Sequence, residues 1–427
     1  MKGMTEETTG AEGAGEDRSQ VSDHPTDKDP SVGTPVVARP GAPTSLPDPT
    51  PAPESVPAST PSAVPVRMTC PTPTYEGDFV LDEHLLLECG RTLAGVTLHY
   101  AVYGRLNAAR DNAVLVCHAL SGSALVGQWW PEVFAPGALL RLDHDFVICI
   151  NLLGSCYGST GPGSVNPETG EPYGADFPLV SIRDNVRAQA KLLDSLGVRH
   201  LRLVLGGSLG GMQALEWTVL FPERVERAVI IGVAPLGAMG LALNHLQRAA
   251  IQRDPEWMGG NYLPQRPPRQ GLSLARQIAM LSYKSGGLFE ERFSRNPNRN
   301  GEDPWGLDDC GGGLIGGRFD IGGYLDEQGK RFVDRFEANA YLAILRTMDT
   351  WDPLRGHLSA ADVFGKIKAR LTFVGISTDW LFPPESVREF AEAIRAAGVQ
   401  AEYREMTSDH GHDAFLAEQV ELVKLLA

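Results

Sequence analysis

Short, uninterrupted apolar runs recur along the chain from about residue 76 onward. They fall at 113–120, 146–153, 201–206, 227–233 and 371–376, and runs of that length suit strands covered on both faces, as in a parallel sheet. Residues 97–103 alternate instead, which predicts a half-exposed strand, and 401–406 follows as a late strand. Between the runs the period lengthens to that of a helix. Ile182, Val186, Leu193 and Leu196 share one face; Ser181 and Asp184 have capping-box spacing at its start, and Gly197 stands at its end. Val387, Phe390, Ala391 and Ile394 form a second stripe, stopped by Gly398. Strand–helix alternation at these lengths predicts an α/β fold with a mostly parallel, doubly wound sheet.

Two stretches break the pattern. Residues 1–73 hold 14 of the 31 prolines and almost no aliphatic clusters. Such a segment cannot bury enough apolar area to offset its ordering entropy, so a disordered tail without catalytic groups is expected. Residues 236–360 read as helical and glycine-rich, without buried strands. They predict a helical lid inserted over the C-terminal edge of the sheet, where open α/β sheets carry their active sites. Within the lid, 285–317 is rich in Gly, Asn and charge and is expected to be a long flexible loop. The predicted core is then 76–235 with 361–427.

Composition narrows the partners. The formal net charge is −15, and residues 1–80 hold 12 Asp and Glu against 5 Lys and Arg. An acidic chain argues against nucleic acid or an anionic membrane. The six cysteines show no metal-ligand spacing, and Cys117 and Cys149 sit in apolar runs, so no metal is expected and a reducing compartment suits them. With no apolar run near the roughly 18 residues of a membrane span and no signal-peptide pattern, a cytoplasmic protein is expected.

The chemistry concentrates at Gly206-Gly207-Ser208-Leu209-Gly210-Gly211. An apolar strand runs directly into this sequence, and 212–220 reads as a helix, which is the setting that a G-x-S-x-G nucleophile elbow requires. Glycines two positions either side of Ser208 permit a turn in which a side chain would collide with backbone. The turn lifts the hydroxyl to the N-terminus of the next helix, whose unpaired N–H groups favour developing negative charge. A serine nucleophile needs a base, and the base a carboxylate, following in the order Ser, Asp, His. The strand at 371–376 ends in Ser377-Thr378-Asp379-Trp380, which puts Asp379 at the active edge. The next strand leads to Ser408-Asp409-His410-Gly411-His412-Asp413, where order alone does not separate His410 from His412. The oxyanion donors expected are the backbone N–H groups of Leu209 and of Leu120, the latter in the loop after the first buried strand. His118, beside Leu120, comes too early in the chain to be the base and is expected to be structural.

These residues carry a resemblance. The segments Cys117-His118-Ala119-Leu120-Ser121-Gly122, Asn151-Leu152-Leu153-Gly154-Ser155, Gly206 through Trp217, Asp254-Pro255, Gly271 through Arg276, Tyr324-Leu325 and Gly411 through Leu416 resemble, in the right order, the homoserine O-acetyltransferases of the α/β-hydrolase superfamily. The likeness runs from about Leu86 to Ala427. It implies Ser208 as nucleophile, Asp379 as orienting acid and His412 as base. It further implies Arg276 as the partner of an amino-acid carboxylate, Asp413 as the partner of its ammonium group, and Tyr283 as lining of the same pocket. The implied reaction is ping-pong transfer from acetyl-CoA to L-homoserine in methionine biosynthesis, by a homodimer without a bound cofactor. A succinyl donor or a serine acceptor is the alternative within the family. Residues 319–324 and the glycine-rich insertion before them depart from the family pattern, both in the lid. Two other classes compete: an ester hydrolase with the same triad, which needs no zwitterion clamp, and a binding protein on a degenerate hydrolase fold.

Overall fold

The computed structural model describes residues 70–302, 304, 305 and 317–427. The chain divides into two units, Met1–Pro65, outside the described residues, and Val66–Ala427. Most of the tail expected at 1–73 therefore lies outside the described residues.

Eight strands form the main sheet: β1 (Tyr75–Val80), β2 (Thr97–Gly104), β3 (Ala113–Cys117), β4 (Phe146–Ile150), β5 (Leu203–Gly207), β6 (Arg227–Ile231), β7 (Arg370–Ile376) and β8 (Ala401–Met406). Their order is β1-β2-β4-β3-β5-β6-β7-β8. β1 and β4 each pair antiparallel with β2, and every other pairing is parallel. The order turns back between β3 and β5, so the loops leaving these two strands diverge and open a crevice at their C-terminal ends. Most apolar runs end sooner as strands than as sequence: β3 stops at Cys117 and β4 at Ile150 because the chain there turns out of the sheet into loops.

Alternate residues of the strands feed two cores. Leu115, Ile148, Ile230 and Phe373 pack on one face with Val186, Leu193, Trp217 and Ile394. Val116, Val147, Val229 and Val374 pack on the other with Trp130, Phe415 and Leu422. Each fully buried side chain of this kind contributes about 1.5–3 kcal/mol, which explains why the runs read as continuous rather than alternating. The capping box is made: in helix α1 (Ile182–Ser195), Ser181 Oγ accepts from Asp184 N at 3.1 Å and Asp184 Oδ2 from Ser181 N at 3.0 Å. Helix α2 (Leu209–Leu220) starts immediately after Ser208, three residues earlier than predicted.

Between β6 and β7 the described residues hold no strand longer than an isolated bridge. They carry α3 (Ala238–Gln252), α4 (Arg269–Tyr283), α5 (Gly286–Phe293), α6 (Asp320–Val333) and α7 (Ala338–Asp349). Helix α5 corrects the loop expected at 285–317. Its opening Gly286-Gly287 has poor helix propensity, but Ser285 Oγ caps Leu288 N at 3.0 Å and Phe293 packs 4.9 Å from Tyr324. Tertiary packing and the cap outweigh the glycines. Residues 303 and 306–316 of that segment lie outside the described residues. Among the described residues no helix is long and apolar enough to cross a membrane.

Candidate active site

The turn between β5 and α2 is as tight as its glycines suggest. A Cβ on Gly206 would stand 2.5 Å from the Gly210 carbonyl carbon, and one on Gly210 only 2.1 Å from the Cys117 oxygen. Ser208 takes φ 57° and ψ −129° at the apex, anchored by its N–H to Ile231 O at 2.8 Å. Gly207 and Gly211 leave room for Phe415 and Val233 beside it.

Asp379 and His412 arrive on the loops after β7 and β8. Asp379 Oδ1 accepts from the N–H groups of Leu381 and Phe382, both at 2.9 Å, while Oδ2 lies 2.6 Å from His412 Nδ1. The two loops are laced together: Thr378 Oγ1 donates to Ser408 O at 2.7 Å and accepts from Gly411 N at 3.0 Å. Positive-φ Gly232, at the end of β6, lets the Asp–His pair close over it; a Cβ there would meet His412 Cε1 at 3.3 Å. The imidazole is ringed by Tyr283, Phe382 and Phe415. Burial alone would lower the His412 pKa, but the charge and hydrogen bond of Asp379 outweigh it and raise the value above its ordinary 6.5. Among the described residues His412 Nε2 has no hydrogen-bond partner, so its bond to Ser208 is not made in this conformation; catalytic hydrogen bonds often tighten only with substrate bound.

The other two histidines separate from this pair. His410 Nδ1 engages Glu418 at 2.9 Å. His118 Nδ1 donates to Ala119 O at 2.8 Å and its Nε2 accepts from Leu152 N at 3.2 Å, and burial pushes its pKa down to about 4. A neutral, doubly bonded imidazole is a scaffold for the loop that carries Leu120.

A second support for that loop comes from α2. Gln213 Nε2 donates to His118 O at 3.4 Å and to Leu209 O at 3.3 Å; its Oε1 accepts from Gln189, which in turn accepts from Trp217 Nε1, both at 2.8 Å. This buried chain gives Gln213 and Trp217 of the Gly206–Trp217 segment a physical role. Among the described residues neither Leu120 N–H nor Leu209 N–H is spent on another protein group.

A cavity of about 230 Å³ is lined by Leu120, Ser208, Arg276, Tyr283, His412 and Asp413, with Arg335, Trp129, Met348 and Leu381 among the rest. Arg276, on α4, has its guanidinium carbon 4.9 Å from the Phe332 ring and 5.4 Å from Tyr283, and no carboxylate among the described residues pairs with it. Burial pushes the Tyr283 hydroxyl above its ordinary pKa against the opposing Arg276 charge, so it remains a donor. Asp413 does have a partner: Lys284 Nζ lies 3.0 Å from its Oδ2. Sequence reasoning missed Lys284 and Arg335. Each is a single cation in a helical or loop context, and neither carries a motif.

Comparisons with known proteins identify the family. A family model described as the alpha/beta hydrolase fold matches residues 112–419. The homoserine O-acetyltransferase of Symbiobacterium thermophilum is 47% identical over 346 residues, 78% of this chain and 88% of the relative. The homoserine O-succinyltransferase of Acidithiobacillus ferrooxidans is 41% identical over 358 residues, covering 80% and 91%. Among solved structures, the homoserine O-acetyltransferase from Bacillus anthracis aligns with TM-score 0.74 at 26% identity over 82% of this chain and 95% of that one. Esterase E22 aligns with TM-score 0.73 at 25% identity over 82% and 98%. With a family model over residues 112–419 and a curated relative 47% identical over most of both chains, the chain belongs to the α/β-hydrolase fold family and, within it, to the homoserine O-acetyltransferases.

Proposed function

We propose that the chain transfers an acyl group from acetyl-CoA to L-homoserine through an acyl-enzyme on Ser208. Ser208 Oγ bonds to the thioester carbonyl carbon as His412 Nε2 takes its proton. The N–H groups of Leu120 and Leu209 hold the oxyanion. The C–S bond then breaks, His412 returns the proton to the departing sulfur, and the acyl-serine remains. In the second half the acceptor oxygen bonds to the acyl carbon as His412 takes its proton; the Ser208 Oγ–acyl bond then breaks, and His412 returns the proton to Ser208 Oγ. Arg276 holds the acceptor carboxylate by a planar fork, and Asp413 its ammonium group, so that a dilute amino alcohol competes with water.

The observation that carries this reading is Arg276: a guanidinium with no carboxylate partner among the described residues, lining the cavity that holds Ser208 and His412. A simple hydrolase has no use for it. The likeness to esterase E22 favours water as acceptor, and that is the second reading. Free thiol released from acetyl-CoA decides between them. Release that requires homoserine and vanishes in Ser208→Ala supports transfer, and acceptor-independent release sinks it. Succinyl-CoA and serine, run in parallel, identify donor and acceptor. Arg276→Ala should raise the homoserine KM by about 10–100-fold, the loss of a charge-assisted bidentate contact, while the pre-steady-state thiol burst persists.

We further propose the division into a core, 76–235 with 361–427, and a helical lid, 236–360, and a homodimer in the cytoplasm.

A further inference from the structure

Arg335 is a second cavity cation that the proposed reaction does not use. It follows α6 and faces two spaces: the catalytic cavity, and an adjoining one of about 600 Å³ that shares Ser121, Gly122 and Trp129 with it. No carboxylate among the described residues pairs with it. Its Nη1 donates to the Ser121 carbonyl at 3.1 Å and to the Tyr157 hydroxyl at 2.6 Å. Its guanidinium carbon sits 4.9 Å from the Phe332 ring, the same ring against which Arg276 lies at 4.9 Å.

The outer cavity argues against a site for an anionic ligand at this arginine. Its lining also holds Glu76 and His99, and His99 is held between Glu76 and Asp78. What Arg335 does contact is backbone. Ser121 directly follows Leu120, so fixing the Ser121 carbonyl restricts the peptide planes on which the Leu120 N–H rides. The upstream side of this loop is already held by Gln213 on His118 O and by the His118 ring. Downstream, Gly122 N closes onto Ala119 O at 3.0 Å, and Arg335 is the charged donor that ties the turn to the lid.

We propose that Arg335 is a positioning residue for acylation: reaching from the lid segment, it holds the Ala119–Gly122 turn so that the Leu120 N–H points at the oxyanion. This rests on the reading of Leu120 and Ser208 given above. It also means that the acceptor-binding guanidinium and the oxyanion turn are braced on one side chain, Phe332.

The test uses substrates that need the oxyanion donors but neither CoA nor an amino-acid acceptor. Acylation of Ser208 by 4-nitrophenyl acetate is followed by the nitrophenolate burst, and the affinity of a methyl trifluoromethyl ketone reports binding of the tetrahedral adduct. Arg335→Met, which keeps the stem packed on Phe332, should slow the burst by about 10–100-fold, part of the cost of losing an oxyanion donor. The ketone should weaken by a matching factor, while the half-saturating homoserine concentration, measured in single turnover on pre-acylated protein, shifts no more than about twofold. Arg335→Lys should recover part of the loss. If the burst falls without weaker ketone binding, or if only CoA thioesters are affected, Arg335 serves donor binding or general stability and the proposal is overturned. Should the Met variant not fold, Tyr157→Phe removes one of the two anchors and should slow the same burst by a smaller factor; an unchanged burst there overturns the proposal. A wild-type protein that acylates from the ester yet shows no homoserine-dependent thiol release would instead refute the transferase reading, with the role of Arg335 still measurable.

Discussion

At the scale of single residues, His412, the proposed base, should set the pH behaviour. Burial works to lower its pKa, and Asp379, by charge and by the 2.6 Å hydrogen bond, raises it past 6.5. As the proposed base, His412 must be neutral to accept the Ser208 proton, so activity is expected to fall as pH drops through that raised value. The acid limb of kcat/KM for the acyl donor should therefore lie above pH 6.5. In Asp379→Asn the two largest raising contributions disappear, leaving burial and the Lys284 charge opposed only by the charge of Asp413. The limb should move to lower pH, while the plateau drops by about 10⁴-fold, the cost of a mis-held tautomer in other triads. An acid limb that stays in place would show that another group titrates. Sequence order left His410 and His412 unresolved, since both follow β8 and either spacing is compatible with the fold. Only the turn at Gly411, with φ 68°, sends one ring to Asp379 and the other to Glu418.

At the scale of elements, the strand–elbow–helix unit was legible because it is local: apolar run, glycines, serine and helix are contiguous. Its sterics allow a quantitative expectation. Gly210→Ala places a methyl group against the Cys117 carbonyl, backbone that cannot rotate away. It should destabilise the protein by about 1–3 kcal/mol, the usual cost of overpacking, as measured by denaturant midpoint. An unchanged midpoint would mean that β3 and α2 can separate at no cost. Helix α5 was not legible, because a local glycine pair masks a helix that its Ser285 cap and the Phe289, Phe293 and Tyr324 rings stabilise. Arg335 and Lys284 were hidden for a related reason. The partners that give them meaning, Ser121 and Asp413, are more than a hundred residues away in the chain.

At the scale of the molecule, two neighbouring inserted helices, α3 and α4, carry exposed apolar side chains. Met239 and Leu246 of α3 and Leu274 and Leu281 of α4 are each more than a third exposed, and Leu246, Ala249, Ala250, Leu274 and Ile278 line one surface depression. Arg253, Asp254 and Gln270 rim the same depression, and exposed apolar side chains rimmed by polar ones are a common form of interaction surface. If a second copy covers it, light scattering should give twice the chain mass, and Leu246→Asp with Leu274→Asp should halve it. A wild-type monomer would remove the dimer proposal and leave the patch to another partner.

The backbone of Ser208 has one more consequence. A non-glycine residue at φ 57° and ψ −129° sits in a region that costs about 1–3 kcal/mol, and the fold carries that cost to present the hydroxyl. Two inactive variants should therefore differ in melting temperature with an inverted sign. Glycine ordinarily weakens a fold by about 0.5–1 kcal/mol relative to alanine, yet Ser208→Gly should melt above Ser208→Ala, because only glycine relaxes there. The reactive position would then be a store of conformational tension, held in place by the glycines and strands packed around it.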